Sequence, residues 1–379
     1  MKKTKIDVFA LSLIIICQVS FGQEIVNLHQ IFNAPGVALY DCAASPFGEY
    51  VSFRQSSRKN DSHWVLHLSS QKLIPILESS DDLFGETNSN TQNLLWSRED
   101  ARVLRIKVLG NAASIHEIAF KSSGKIKDSQ LDLNLDANQL LTCTQLCWSS
   151  SGNLLLSLCK SGIPITSDID AENYDVYNLG STWDEPQNAS RDSEVREMSA
   201  SPIGRREFII SGVGKNGNID LYMTRRSKGL IQKTHTKAIS ENWPVVSPNQ
   251  KWVAFCDAGK GIDNLADLYV INLEEEGSIP QKLVEGIYIP STGVSEEGVY
   301  QWSQDSQGLY FIKKDQSLKN PISFVDIVSL QWNHLESDLA FVSSFVITDN
   351  EKKVFAIAAG SATSEDRISY KAFLGDLKH

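Results

Sequence analysis

Pro244-Val245-Val246-Ser247-Pro248-Asn249-Gln250-Lys251-Trp252-Val253-Ala254-Phe255 reads as a tight turn followed by a short apolar strand. Proline fixes φ, and the small polar residues beside it favour a chain reversal. Trp252 to Phe255 has the length and uniform hydrophobicity of a strand covered on both faces. The pattern returns along the chain. Ala44-Ser45-Pro46-Phe47-Gly48 precedes Tyr50-Val51-Ser52-Phe53, and Trp96-Ser97-Arg98-Glu99-Asp100 precedes Val103-Leu104. Trp148-Ser149-Ser150-Ser151-Gly152 precedes Leu154-Leu155-Leu156, and Ala200-Ser201-Pro202-Ile203-Gly204 precedes Phe208-Ile209-Ile210. Trp302-Ser303-Gln304-Asp305 precedes Leu309-Tyr310-Phe311. The serines at 45, 97, 149, 201, 247 and 303 lie 52, 52, 52, 46 and 56 residues apart, a spacing too regular for chance. A weaker seventh copy, Trp332-Asn333-His334 before Leu339-Ala340-Phe341, has its Asn333 only 30 residues after Ser303.

A second signature recurs about twenty residues after the turn: Asp220-Leu221-Tyr222-Met223, Asp267-Leu268-Tyr269-Val270 and, delayed, Asp175-Val176-Tyr177. These read as third strands. Lys72 to Leu77 and Gln281 to Val284 read as fourth, outer strands, where an edge proline such as Pro75 is tolerated. Four short strands per ~50 residues, repeated, describe the blades of a β-propeller. The expected fold is all-β: one propeller of four-stranded antiparallel blades over residues 23–379. Its 357 residues divided by 52 give about 6.9, which favours seven blades and leaves six open. A ring must close to remove its sheet edges. Glu24 to Ile31 is the expected closing strand, added to the blade built by the C-terminal end of the chain.

Trp-Ser-x-x-Gly, the Pro244–Lys251 stretch and Asp-Leu-Tyr-Val together resemble the PD40 repeats, the WD40-like propeller repeats of TolB-type proteins and of several exported enzymes. The resemblance runs from about Val37 to the C-terminus. It implies the fold and leaves function open, because the matched residues build turns and blade cores. The α/β domain that precedes the propeller in TolB-type proteins is not expected, since the first repeat begins about twenty residues after the leader.

That leader is residues 1–22. Met1-Lys2-Lys3-Thr4-Lys5 is basic, Val8 to Cys17 is apolar, and Ser20-Phe21-Gly22 supplies small residues before a cut ahead of Gln23. This is the layout of a secretory signal, so a periplasmic or secreted protein is expected. Ten apolar residues are too few to span a membrane, and no later stretch is long enough. Removing the leader takes away three lysines and Asp7, turning a net charge of −10 into −12. An acidic chain of pI 5.3 is not expected to bind nucleic acid. A monomer is expected. Five cysteines remain: 42, 143, 147, 159 and 256. A hairpin turning at Ser150-Ser151-Gly152 sets Cys143 opposite Cys159, where a cross-strand disulfide is possible; the alternative is buried thiols.

Most chemical motifs fail on context. Gly212-Val213-Gly214-Lys215-Asn216-Gly217 matches a dinucleotide fingerprint, but a repeat strand follows where a helix is required. Asp132, Asn134, Asp136 and Asn138 alternate with apolar residues, which reads as a half-exposed outer strand rather than a calcium loop. His63 and His67 stand too far apart along a strand to share a metal, and no metal or other cofactor is expected. There is no G-x-S-x-G nucleophile elbow, and no catalytic residue is assigned. Trp96, Trp148, Trp302 and Trp332 are read as blade packing. One acidic, aromatic segment, 161–198, departs from the repeat, and within it Tyr174, Trp183, Asp184 and Glu185 are the candidate ligand contacts. Two function classes follow: a non-catalytic scaffold binding a protein, peptide or glycan at one propeller mouth, or a carbohydrate-active lyase or hydrolase with its site in the channel.

Overall fold

The computed structural model describes residues 23–33, 38–45, 48–56, 61–78, 95–97, 101–109, 112–120, 126–131, 145–148, 153–159, 174–179, 186–190, 194–204, 207–225, 229–257, 264–289, 300–314, 320–348, 351–359 and 370–378. They form seven four-stranded antiparallel sheets, the blades of a β-propeller, and no helix occurs among them. After β1 (Glu24–Asn33), blade one is β2 (Ala38–Ala44), β3 (Tyr50–Ser56), β4 (Asp61–His67) and β5 (Lys72–Glu78). Blade two is β6 (Leu95–Trp96), β7 (Arg102–Leu109), β8 (Ala112–Phe120) and β9 (Ile126–Gln130). Blade three is β10 (Gln145–Trp148), β11 (Leu154–Cys159), β12 (Tyr174–Leu179) and β13 (Gln187–Asn188). Blade four is β14 (Arg196–Ile203), β15 (Glu207–Val213), β16 (Ile219–Arg225) and β17 (Gly229–Gln232). Blade five is β18 (Glu241–Val246), β19 (Trp252–Asp257), β20 (Leu265–Asn272) and β21 (Gln281–Tyr288). Blade six is β22 (Tyr300–Trp302), β23 (Gly308–Ile312), β24 (Ile322–Asp326) and β25 (Trp332–His334). Blade seven is β26 (Ala340–Thr348), β27 (Lys353–Ala359) and β28 (Tyr370–Lys378), completed by β1.

The repeat serine does more than fit a turn. In blades one, five and six its hydroxyl accepts the N–H five residues on: Tyr50 N to Ser45 Oγ at 3.0 Å, Trp252 N to Ser247 Oγ at 3.0 Å and Gly308 N to Ser303 Oγ at 2.9 Å. It therefore satisfies a buried donor that the hairpin itself leaves over. The residue three after the serine is left-handed, with φ of 65° at Gly48 and 63° at both Gln250 and Ser306. Glycine is thus favoured there without being required.

Two repeat assignments change. β14 runs on through Pro202, which pairs with Phe208, so blade four turns at Gly204 rather than at Ser201. Ser201 Oγ instead accepts Val246 N of the next blade at 3.1 Å. Trp332-Asn333-His334 is not a seventh turn either. It is the three-residue outer strand of blade six, with Trp332 exposed. Blade seven turns after Thr348, whose own strand partner is Lys353, 45 residues beyond Ser303. A threonine hydroxyl stands where the other copies carry serine. The residues of the expected outer strand at 132–138 lie outside the described set, and β9 is the outer strand of blade two.

No blade has a core of its own; the core is the set of seams. Val51, Phe53 and Leu66 of blade one pack on Phe355, Ile357 and Leu374 of blade seven. Ile209, Leu221 and Met223 of blade four pack on Val253, Phe255 and Ile271 of blade five. The remaining five seams are filled in the same way, so each of the seven has its own apolar cluster. Three repeat tryptophans, 96, 148 and 302, are buried in these seams, and two reach back to the preceding blade. Trp96 Nε1 donates to Ser52 Oγ at 3.0 Å and Trp302 Nε1 to Val245 O at 2.9 Å.

β1 closes the ring, pairing antiparallel with β28 from Glu24↔Lys378 to Asn33↔Lys371. Ile25 is buried in the seam between blades six and seven, and its N–H donates to Glu336 O at 2.8 Å. Deleting residues 24–31 exposes the edge of β28 and opens that seam. The truncated protein should aggregate or lose its cooperative thermal transition, whereas an unchanged Tm contradicts closure by β1.

Candidate functional site

The first strand of each sheet lies innermost, and neighbouring inner strands approach one another around the central channel, as β14 does β18 and β2 does β26. Four of these inner strands are irregular. Register shifts interrupt β2 between Tyr40 and Ala43, β14 between Glu197 and Ser199, β18 between Asn242 and Val245, and β26 between Ala340 and Ser344. Asp41, Trp243 and Phe341 sit at φ of 57°, 53° and 52°. Left-handed backbone at bulky or charged residues is uncommon, and bulges re-aim side chains. The Trp243 carbonyl accepts the Tyr300 hydroxyl of the next blade, which holds this unusual backbone in place.

Two fully buried glutamates occupy the starts of inner strands. Glu197 Oε2 accepts Val176 N at 2.8 Å, and Glu241 Oε2 accepts Leu221 N at 2.8 Å. Each carboxyl therefore reaches back to the third strand of the preceding blade, to the residue just after the repeat aspartate, Asp175 or Asp220. The main-chain carbonyls of the same glutamates accept hydroxyls from that preceding blade: Ser157 to Glu197 at 3.2 Å and Ser211 to Glu241. Blade one is built differently, with a buried Arg54 beside Asp41 at 4.0 Å and the buried His63 across the strand pair. Burial pushes Glu241 up from its ordinary 4.5 to about 7, the nearby Asp220 adding to the shift and hydrogen bonds from Thr234, Thr236 and Leu221 opposing it.

The aspartates of the third-strand signature tie third strand to fourth. Asp175 Oδ2 accepts Asn188 Nδ2 at 2.6 Å, Asp220 Oδ2 accepts Gln232 Nε2 at 2.9 Å, and Asp267 Oδ2 pairs with Lys282 Nζ at 2.6 Å. Gly212 to Gly217 is the end of β15 and its hairpin, with Gly217 N on Gly214 O at 3.0 Å, followed by β16. No helix stands there to receive a pyrophosphate. His63 and His67 lie on β4, and His67 Nδ1 meets Ser70 Oγ at 2.7 Å. Among the described residues, no three of His, Cys, Asp and Glu come together to hold a metal ion. Cys42, Cys147 and Cys256 are buried, and burial pushes the Cys256 thiol well up, away from reactivity.

Of the expected ligand contacts, Tyr174 opens β12, where its backbone pairs with Cys159. Trp183, Asp184 and Glu185 lie outside the described residues. β12 divides the 161–198 segment: 160–173 joins β11 to its first residue, and 180–186 joins its last residue to β13. Its six residues run about 17 Å, so the two connections leave at opposite ends of the blade. β10 and β11 pair as Gln145↔Ser157, the register on which a Cys143–Cys159 bridge depends; Cys143 itself lies outside the described residues. Sequence reasoning missed Glu197 and Glu241. Their signal is an acid four or six residues before the repeat serine, in a strand that is otherwise apolar or small.

The class the geometry defines is the seven-bladed propeller, and the chain superposes on several solved structures. No protein-family model matches the chain, and no curated protein sequence matches it. An oligogalacturonate lyase in complex with manganese superposes with a TM-score of 0.61 at 10% identity, over 94% of this chain and 95% of that one. A puromycin-hydrolyzing peptidase of Mycobacterium tuberculosis gives 0.58 at 11% identity, over 89% of this chain and 52% of the peptidase. TolB from Acinetobacter baumannii gives 0.45 at 10% identity, over 90% and 78%. At these identities the likeness is one of fold.

Replacing Glu197 by alanine leaves Val176 N without its carboxylate inside a buried seam, at a cost of about 1–3 kcal/mol. The urea midpoint should fall accordingly, while Glu197→Gln, which keeps an acceptor, recovers most of the loss. An unchanged midpoint for E197A means that the clamp contributes nothing to stability.

Proposed function

We propose that this chain is an exported, non-catalytic propeller scaffold that binds a protein, peptide or glycan at one mouth. The observation that carries the reading is how the buried inner-strand acids are used. Glu197 and Glu241 bond backbone N–H groups of the preceding blade. A catalytic pair instead faces a substrate across open space with complementary pKa values. Export rests on the three-part leader at 1–22, and no helix among the described residues is long and apolar enough to cross a membrane.

Within this reading, contacts come from the 161–198 segment: Tyr174 at the start of β12, or Trp183, Asp184 and Glu185 in the stretch that follows it. Pull-down from the native envelope, run beside a glycan array, identifies the ligand. Tyr174→Ala and the triple change Trp183→Ala, Asp184→Asn, Glu185→Gln should then differ, with at least a tenfold loss of affinity in the one that lines the mouth used. Wild-type affinity in both variants rules this segment out.

The extent of the match to the manganese-bound lyase, nearly the whole of both chains, supports a second reading: a polysaccharide lyase with its site in the channel. The described residues do not supply a metal-binding group, so no step is assigned to a metal. Incubation with acidic oligosaccharides, with and without manganese, separates the two readings. The formation of unsaturated sugar ends overturns the scaffold.

We further propose that Cys143 and Cys159 form a disulfide in the exported protein, on the β10–β11 register. Non-reducing peptide mapping should recover the two cysteines cross-linked. Alkylation of both without prior reduction excludes the bond.

A further inference from the structure

The connection 233–240 leads from β17, the outer strand of blade four, to β18, the inner strand of blade five, and so crosses from rim to channel at one end of the propeller. Its hydrogen bonds converge on carboxyl groups. Thr236 N donates to Asp220 Oδ1 at 3.1 Å and Ser240 N to Asp257 Oδ1 at 3.1 Å. The Thr234 hydroxyl donates to Glu241 Oε2 and also accepts Leu221 N at 2.8 Å.

Glu241 is the critical group. Thr236 Oγ1 lies 3.0 Å from Glu241 Oε1 and 3.1 Å from Ile239 O. Both are acceptors if Glu241 is ionised, and a threonine hydroxyl has one proton to give. If Glu241 is a carboxylic acid, the count closes: Oε1–H donates to Thr236 Oγ1, and Thr236 O–H donates to Ile239 O. We propose that Glu241 is held as a neutral acid whose proton, relayed through Thr236, latches the 236–239 turn at the seam between blades four and five, and that loss of this proton releases the turn.

The surroundings favour the neutral form. Asp220 on β16 is the acid whose charge adds to the shift, and Asp257 on β19 is the register partner of Glu241. The basic side chains of the connection turn elsewhere: Lys233 Nζ donates to Leu273 O at 3.3 Å, and His235 and Lys237 are exposed. An ionised Glu241 therefore sits fully buried near like charge, which is the cause of its shift to about 7. The sign follows from proton binding. An acid raised in the closed state takes up a proton that the open state releases, so the latch is fully engaged below about 4.5 and lost as pH rises through 7.

Amide hydrogen exchange of the full chain between pH 5 and 8.5, corrected for the intrinsic rate, tests the latch. Protection across 234–240 should fall roughly fiftyfold from pH 5 to 7.5 and then level off, as a carboxyl moving from about 7 to 4.5 on opening requires. Glu241→Gln, which keeps an acceptor and a donor, should remove the fall. Asp220→Asn, which removes the neighbouring charge, should move the levelling-off to lower pH. A wild-type profile that does not fall, or one that falls equally in E241Q, overturns the proposal. Should E241Q not fold, the wild-type glutamate carboxyl resonances decide. One group titrating near 7 supports the latch, and titration of every glutamate below pH 5 refutes it.

Discussion

Everything in this molecule depends on the contact between one blade and the next. A four-stranded sheet of this composition is apolar on both faces and cannot shield either alone, so each blade is stable only when sandwiched. The seven apolar clusters are seven such contacts, and residues such as Phe53, Leu221 and Phe311 lie wholly inside them. Burying a side chain of that size contributes about 1.5–3 kcal/mol. A stack with two bare end faces forfeits that gain at both ends. Closure makes the last contact, and the chain achieves it by lending its first strand to its last blade.

That dependence explains why the fold was legible. Each unit must present the same apolar second strand to its neighbours, so Tyr50–Phe53, Leu154–Leu156 and Trp252–Phe255 look alike in sequence as well as in space. Turns were legible where the chemistry was strict and misread where it was loose. The hairpin needs a side-chain acceptor for the N–H five residues on, together with one left-handed residue, and Gln250, Ser306 and Glu351 meet the second need without glycine. A reader following Ser-Pro and Gly therefore misses Thr348. The same reader accepts Trp332, whose tryptophan-polar pattern imitates a turn but lies on an exposed outer strand. In blade four, Ser201-Pro202 survives as sequence while the strand runs through it.

The site was far less legible, for a physical reason. The repeat records what all blades share, which is packing, and a binding surface is whatever the blades do not share. The 161–198 segment stood out because it breaks the pattern, yet sequence alone did not show that β12 cuts it into pieces leaving opposite ends of the blade. The buried acids were invisible for the converse reason. Glu197 and Glu241 recur at unequal distances from the repeat serine, because Ser201 lies inside β14, two residues short of its end, whereas Ser247 stands at the turn. No fixed spacing marks them, although both perform the same act of reaching back to the third strand of the preceding blade.

Those acids also show how a repeat scaffold acquires differences between its seams. Where blades three, four and five meet, the inner end of the seam is polar: a glutamate carboxyl takes a backbone N–H, and a serine hydroxyl takes the glutamate carbonyl. Between blades six and seven the neutral Gln301 links one inner strand to the next, its amide both donating to Ile347 O and accepting Ile347 N. The two kinds of link satisfy different backbone groups, on the third strand of the preceding blade and on the inner strand of the following one, and they differ in titratability. A glutamine link is indifferent to pH, while a buried glutamate beside Asp220 couples the seam to proton concentration. Because the 233–240 connection runs from rim to channel beside this acid, a proton gained or lost at Glu241 acts where one blade hands the chain to the next.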